Sequence, residues 1–164
     1  MKAITIWQPW ASLLACGAKK FETRPWATKY RGPIAIHAAA TPFKRIIKKI
    51  FPLHEWEYAP DYSAKRRFVK RVSKFVDIDS LCYGAIIATG ELMGCYKIGD
   101  SSKGSYLLDY PFAPVSFADE KELMFGDWTP GRYAWEITNV KILDNPIPEK
   151  GAQRLWTWDA KHSL

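Results

Sequence analysis

Three charged residues, Lys19, Glu22 and Arg24, follow one another closely after a glycine, Gly17. A carboxylate can act as a base or accept a hydrogen bond from the amino group of a nucleobase, whereas Lys and Arg can hold a phosphate or stabilise a developing oxyanion. Glu22 and Arg24 share one face of a regular strand, and Lys19 joins them only if the chain turns near Gly17. The cluster is therefore consistent with a binding or catalytic site, and also with a structural ion pair at a strand edge.

Aromatic residues flank this charged cluster. They are Trp7, Trp10, Trp26, Tyr133 and Trp135. Such rings either fill a protein interior or form flat surfaces on which a base stacks. We expect one or two of them to stack on a base and the rest to pack inside the protein.

His37 is the most site-like of the three histidines because it ends a predicted strand, although a hydrogen-bonded structural histidine is the commoner case. No group of His, Cys, Asp and Glu has the spacing of metal ligands. The three cysteines, Cys16, Cys82 and Cys95, lie far apart and lack the paired spacing of a disulfide framework. The sequence therefore predicts no metal, no cofactor and a reducing compartment.

Several short strands and helices must position these side chains. Hydrophobic patterns predict strands at 3–7, 19–26, 33–38, 83–98 and 132–143. A short helix is expected to begin at Pro9 and to end at Gly17, and Gly90 and Gly94 indicate a bulge or bend in the fourth strand. Residues 99–118 are rich in Gly, Ser, Pro and Tyr and predict a long loop with short extended pieces. The length and the 48% hydrophobic composition fit one α+β domain that spans residues 1–164.

A basic two-helix insertion is predicted at about 41–78, and it supplies +6 of the net charge of +7. In the first helix Phe43, Ile46, Ile47 and Ile50 have helical spacing, with Thr41 as N-cap and Pro42 at the first helical position. After an aromatic-rich loop at 52–60, the second helix is expected at about 63–75, with Phe68, Val69, Val72 and Phe75 facing inward. The basic residues on the outer faces are either solvated or in contact with a phosphate backbone.

The excess of positive charge favours an anionic partner. The N-terminus has no apolar run of the length of a signal peptide, and the chain has no stretch of about 18 apolar residues. We therefore expect a soluble, cytoplasmic protein with no membrane partner. The sequence does not predict its oligomeric state.

Several separated motifs occur in the order found in one known family. They are Gln-Pro-Trp at 8–10, Gly-x-Lys-x-x-Glu-x-Arg at 17–24, Tyr-Arg-Gly-Pro at 30–33, Ile-His-Ala at 36–38, Phe-Gly-Asp-Trp at 125–128, Gly-Arg-Tyr-Ala-Trp at 131–135, Pro-Ile-Pro at 146–148, Lys-Gly at 150–151 and Trp156. Together they resemble the activating signal cointegrator homology (ASCH) domains. The resemblance covers most of the chain and leaves the basic helices and the Ser/Gly-rich loop as the variable part.

The resemblance implies a PUA-like fold, a small mixed or antiparallel β-barrel with flanking α-helices, and a cleft that binds RNA, a nucleoside or a nucleotide. The residues expected to contact the ligand in the cleft are Gln8, Trp10, Lys19, Glu22, Arg24, His37, Tyr133 and Trp135. The residues expected to contact the phosphate backbone are Lys44, Lys48, Arg66, Arg67 and Lys70. The bound base could be a modified one.

The resemblance also implies an enzymatic alternative, because some relatives are amidohydrolases that deacetylate N4-acetylcytidine and others are described as ribonucleases. Lys19 matches the lysine of the amidohydrolases, Glu22 stands where they have a threonine, and Glu91 corresponds to their later carboxylate. Thr23 is not expected to replace that threonine, because adjacent strand residues face opposite sides. If the site is hydrolytic, Glu22 or Glu91 would be the base and Lys19 or Arg24 the cation, and two neighbouring carboxylates would raise one another's pKa. A third interpretation is an interaction module that binds a small anion or a peptide.

Overall fold

The computed structural model describes residues 1–51, 62–99, 108–109 and 120–159. The strands are β1 (Lys2–Ile6), β2 (Phe21–Arg24), β3 (Gly32–Ala38), β4 (Ala85–Ile98), β5 (Leu108–Asp109), β6 (Tyr133–Pro148) and β7 (Leu155–Thr157). The helices are α1 (Trp10–Ala15), α2 (Phe43–Ile50), α3 (Tyr62–Val72) and α4 (Glu120–Met124). The loop predicted at 52–60 and most of the loop predicted at 99–118 lie outside the described residues.

The strands form one mixed sheet in the order β2-β6-β4-β3-β1-β7, with β5 paired to β4. β1 and β3 are parallel, and the other pairs are antiparallel. This arrangement confirms the α+β class. Within the described part of the chain the two end strands, β2 and β7, do not pair with each other, so the predicted closed barrel is not confirmed.

The two long strands, β4 and β6, are bent by irregular pairing. Their register shifts between Thr89 and Glu91 and again between Leu92 and Gly94, as Gly90 and Gly94 predicted. A Cβ atom at Gly90 would lie 2.9 Å from the carbonyl oxygen of Thr138, so the close approach of the two backbones requires glycine there. Register shifts of this kind bend and twist a strand locally.

Helix α1 lies against this sheet and leads into the charged segment. Leu13 and Leu14 are fully buried, and Gly17 ends the helix with a φ of +72°. Because a left-handed residue stops the helix there, the chain turns at once, and the Lys19 N–H donates to the carbonyl oxygen of Leu13 at 3.0 Å. The start and the end predicted for this helix are both confirmed.

Helix α2 begins one residue later than its predicted N-cap implies. Pro42 occupies the cap position with a ψ of 142°, which is extended and not helical, and no side chain caps the helix, so the assignment of Thr41 as N-cap was wrong. The first N–H group, that of Phe43, donates instead to the hydroxyl of Tyr83 at 3.2 Å. A tertiary partner thus satisfies a donor that a local cap would otherwise satisfy.

The apolar sides of α2 and α3 are buried only in part. Phe43, Ile46, Ile47 and Val72 are buried as predicted. Ile50 and Phe75 were also expected to face inward, but both are exposed. Ile50 ends α2, and Phe75 lies beyond the end of α3, where the chain continues in turns after Val72.

The main core is formed by residues of the sheet and of α1, and it includes Trp135. Trp135 is 0% exposed, and its ring meets that of Trp26 edge to face, with 4.5 Å between the ring centroids. Among the described helices, none is long and apolar enough to cross a membrane.

Candidate functional site

A cavity of about 600 Å³ lies between the end of β1, strand β2, the end of α2, helix α3 and the segment that follows α4. Its charged lining residues are Glu22, Arg24, Asp127 and Arg132, and its aromatic lining residues are Trp7, Trp10, Phe51, Phe68 and Phe125. This volume is in the range of small-molecule binding sites, and a mainly apolar wall with a few polar groups is typical of them.

Glu22 is at the centre of the charged wall. Its Oε2 atom lies 2.6 Å from the Nζ atom of Lys19, and its Oε1 atom lies 3.2 Å from the Nε atom of Arg24. Glu22 is 8% exposed and faces the cavity. The carboxylate is therefore held between two cations.

Lys19 supports this wall from behind. It is 2% exposed and does not line the cavity. Its ammonium group donates to Glu22 and to the carbonyl oxygen of Phe21. Lys19 therefore neutralises and positions Glu22, and Glu22 is the member of the pair that faces the cavity.

Arg24 joins β2 to β1 at the cavity. Its Nη2 atom donates to the carbonyl oxygen of Thr5 at 2.8 Å. Its buried Nε atom has no aligned hydrogen bond, so its contact with Glu22 is an ion pair only. About a quarter of the side chain is exposed, which leaves part of the guanidinium accessible to a ligand.

The electrostatic environment keeps Glu22 ionised at neutral pH. Burial by itself raises the pKa of Glu22, but the charges of Lys19, Arg24 and Arg132 and the hydrogen bond from Lys19 outweigh this effect and lower the pKa below its ordinary value. Glu22 is thus a good hydrogen-bond acceptor and a weak base. The expectation that a second carboxylate would raise its pKa was wrong.

Glu91 lies elsewhere on the sheet. Its Oε2 atom accepts a hydrogen bond from Asn139 Nδ2 at 2.9 Å, and it does not line the cavity. Glu91 pairs with Thr138 on one side of β6, whereas Glu22 pairs with Trp135 on the other side. The partners on β6 are three residues apart, and β2 and β4 are two strand spacings apart. These offsets correspond to roughly 14 Å between the Cα atoms of the two glutamates. The structure therefore does not bring the two carboxylates together.

Arg132 and Asp127 form a second charged group on the cavity wall. The Nε atom of Arg132 lies 3.3 Å from Oδ2 of Asp127, and its Nη2 atom donates to the carbonyl oxygen of Thr23 at 3.3 Å. Burial raises the pKa of Asp127, but hydrogen bonds from Thr129 and the charge of Arg132 outweigh it and lower the pKa. The sequence analysis missed both residues as site residues, although each lies in a motif that carries the family resemblance.

Thr23 lines the cavity as well as Glu22, which the alternation along a strand did not predict. Its hydroxyl oxygen accepts a hydrogen bond from the Asp127 N–H at 3.1 Å. The segment after α4 folds against β2, so two adjacent strand residues both contribute to the wall. The hydroxyl of Thr23 has a structural role in this arrangement.

Glu122, on α4, fixes the start of β2. Its carboxylate accepts hydrogen bonds from the N–H groups of Lys20 and Phe21, and its carbonyl oxygen accepts one from Trp128 Nε1 at 2.8 Å. Glu122 is buried. No local pattern in the sequence indicated this contact, because it joins residues about a hundred positions apart.

The aromatic residues divide into surface and core groups. Trp7 is 43% exposed and lines the cavity, and Trp10 lines it while packing against Phe68, with 5.7 Å between the ring centroids. Trp135 is fully buried and therefore not accessible to a ligand. Tyr133 packs against the main core and does not line the cavity.

Gln8 and His37 are both engaged inside the protein. Gln8 is fully buried, donates to the carbonyl oxygen of Cys82 at 2.8 Å and accepts from the Ser12 N–H at 3.2 Å, so it connects α1 to the chain before β4. The Nε2 atom of His37 lies 3.0 Å from the carbonyl oxygen of Glu149. Neither residue lines the cavity, so their predicted contacts with a ligand have no support in this geometry.

The basic residues of α2 and α3 lie on the outer faces of the helices. Lys44, Lys48, Arg66, Arg67 and Lys70 are all exposed. Ile50 on α2 and Phe68 on α3 line the cavity. One pair of helices thus contributes both a cavity wall and a positively charged surface.

The part of the chain that the structure describes contains no group of three or more His, Cys, Asp and Glu residues that could hold a metal ion.

A comparison with protein-family models matches residues 4–147 to the ASCH domain. A search of curated proteins found no matching relative.

Proposed function

Because the chain belongs to the ASCH domain family, which is generally associated with RNA binding, we propose that it binds RNA or a nucleotide and holds one base in the cavity beside β2. One observation carries this proposal. The same cavity presents an exposed tryptophan ring, Trp7, together with an ionised carboxylate, Glu22, and a partly exposed guanidinium, Arg24.

These groups suit the parts of a base. Trp7 offers a flat ring for stacking, which is sequence-tolerant because every base has an aromatic face. Glu22 can accept from an exocyclic amino group, and Arg24 and Arg132 can donate to ring nitrogens or carbonyl oxygens. A base that carries an amino group is therefore the expected occupant, and a modified base fits the same description.

The positively charged outer faces of α2 and α3 suit contact with the phosphate backbone of RNA. Lys44, Lys48, Arg66, Arg67 and Lys70 are exposed, and the helices border the cavity. Phosphate contacts of this kind give affinity that falls steeply with salt and carry little sequence information. The proposal thus assigns base capture to the cavity and backbone contact to the helices.

Binding of a short single-stranded RNA, followed by fluorescence anisotropy at low salt, tests the proposal. Arg24→Gln should weaken binding about 10-fold, because it removes a charged donor from the cavity. Arg154→Gln removes the same charge from an exposed position outside the cavity and is the matched control. Equal affinities of the two variants would remove the cavity from the proposal. A protein that binds no nucleic acid at low salt would favour a small anion or a peptide as the ligand.

The second candidate is hydrolysis of a modified nucleoside such as N4-acetylcytidine or of an RNA phosphodiester. Arg24 lines the cavity at 3.2 Å from the Glu22 carboxylate and could stabilise an oxyanion there. The lowered pKa of Glu22 makes it a poor general base, so we expect binding without turnover. Release of cytidine from N4-acetylcytidine, or of cut RNA, by the native chain and not by Glu22→Gln would establish the hydrolase instead.

A further inference from the structure

A lysine covers the exposed ring at the cavity. The Nζ atom of Lys49, in the last turn of α2, lies 5.1 Å from the centroid of the Trp7 ring. This is within the range of a cation–π contact. Lys49 is exposed, and Trp7 lines the cavity. A positive charge at the end of a long side chain therefore lies next to the surface on which a base would stack.

Two groups of charged side chains bear on a ligand, one in the cavity wall and one beside it at Trp7. On the side of β2, the carboxylate of Glu22 is backed by Lys19 and bordered by Arg24. On the side of α2, the ring of Trp7 is accompanied by Lys49, and the neighbouring Lys48 is also exposed. A ligand complementary to both groups has hydrogen-bond donors for Glu22, a flat ring for Trp7 and an anion for Lys49.

We propose that the cavity prefers a phosphorylated nucleoside to the unphosphorylated one, and that Lys49 leaves the face of Trp7 to bind the phosphate. This inference rests on the proposed function and names the ligand class for the same cavity. A nucleoside monophosphate has all three of these parts. The phosphate can belong to a free mononucleotide or to one nucleotide of an RNA.

Movement of the Lys49 ammonium from the ring of Trp7 to a phosphate is energetically favourable. A cation–π contact at an exposed ring is weak, whereas a charge-assisted hydrogen bond between an ammonium and a phosphate is among the stronger polar contacts. The long side chain of lysine carries its charge on a flexible stem and can change partner without movement of the helix. Uncovering the ring also frees a face of Trp7 for stacking with the base.

Calorimetric titrations at low ionic strength with adenosine, adenosine 5′-monophosphate, cytidine, cytidine 5′-monophosphate and inorganic phosphate test the inference. We expect each monophosphate to bind about 5- to 10-fold more tightly than its nucleoside, as one screened charge pair near a protein surface would provide. Inorganic phosphate alone should bind much more weakly than either monophosphate. Equal binding of nucleoside and monophosphate would overturn the inference and leave the proposed function in place.

Two lysine variants make the test specific. Lys49→Gln should bring the ratio of monophosphate to nucleoside affinity close to one, whereas Lys141→Gln, at an exposed position on β6 outside the cavity, should leave the ratio unchanged. Equal effects of the two variants would overturn the inference, since the net charge of the protein would then explain the preference. Trp7→Leu should weaken nucleoside and monophosphate alike.

A short RNA of about six nucleotides separates the two sources of the phosphate. If Lys49 binds the phosphate of the nucleotide held in the cavity, Lys49→Gln weakens both the mononucleotide and the RNA. Loss of affinity for the RNA alone would place Lys49 on a remote part of the backbone and would contradict the inference. Absence of binding by every nucleoside, nucleotide and RNA would overturn the proposed function and this inference together.

Discussion

Lysine and arginine side chains occur in two regions of this protein, buried or half-buried beside β2 and exposed on α2 and α3. Beside β2, Lys19 and Arg24 are buried or half-buried and share the carboxylate of Glu22. On α2 and α3, basic side chains such as Lys44 and Lys70 are exposed on the outer faces of the helices. The residue types are the same, but their environments differ in exposure and in the partners close to them.

The difference shows what each region can contribute. A charge removed from water must be paired and hydrogen-bonded, so the loss of one partner is costly to stability. An exposed charge contributes little to stability and is available to a counterion or a phosphate. The β2 region should therefore be sensitive in folding, and the helices should be sensitive in binding.

Removal of Glu22 is expected to have the largest effect. Glu22→Ala leaves the buried ammonium of Lys19 without its counterion and should lower the free energy of unfolding by about 3–5 kcal/mol. Denaturation with urea, analysed by the midpoint and the slope, measures this loss. Asp144→Ala removes an exposed carboxylate from β6 and should change the free energy by less than about 0.5 kcal/mol. Similar losses in the two variants would refute the distinction between the regions.

Two tryptophans extend the comparison to apolar residues. Trp135→Ala opens a hole in the main core and should lower the free energy of unfolding by about 3–5 kcal/mol. Trp7→Ala removes a ring that is 43% exposed and should cost about 1 kcal/mol or less while it weakens nucleotide binding. Thermal unfolding and nucleotide titration of both variants check this. A large loss of stability in Trp7→Ala would mean that its ring is structural.

Neutralising the helices should produce the opposite pattern. Replacement of Lys44, Lys48, Arg66 and Lys70 by Gln should reduce RNA affinity at low salt about 10-fold or more, with little change in stability. If all four contact phosphates of a single strand, the slope of log affinity against log salt should decrease by about 3. An unchanged slope would show that these side chains are only solvated.

The smallest expected effect is on the pH dependence of stability. The pKa of Glu22 is lowered in the folded protein, so the folded state binds a proton less readily than the unfolded state. The stability that Glu22 contributes is present above its ordinary pKa of 4.5 and is lost as the pH falls through the lower pKa of the folded state. The native chain and Glu22→Gln should therefore differ most at neutral pH and converge below about pH 4.5. A difference independent of pH would contradict this.

Most of the secondary structure could be predicted from the sequence because it depends on local patterns. Gly17 ends α1, the alternating residues after position 132 form the start of β6, and the glycines of β4 coincide with shifts of register. Errors occurred where a distant residue supplied a partner. The N-terminus of α2 is an example, because the hydroxyl of Tyr83 accepts from its first N–H group and no cap is needed.

The candidate site could be predicted less completely. The motif at 17–24 located Glu22 and Arg24, which face the cavity. It did not show that Lys19, which is also charged, lies behind the wall and does not face the cavity. Arg132 and Asp127 lie in the motifs at 131–135 and 125–128, but they reach the cavity only because the segment after α4 packs against β2, and the motifs alone did not reveal this contact between distant positions.

The sequence by itself determined where helices and strands form, where glycine turns the chain and which helix faces carry positive charge. Only the tertiary structure decided that Glu22 is ionised between two cations. It also decided that Trp7 is exposed whereas Trp135 is buried, and that Lys49 lies over the ring of Trp7. The physical reason is that periodicity and turn preference act over a few residues. Burial and electrostatic fields depend instead on which distant segments the folded chain brings into contact.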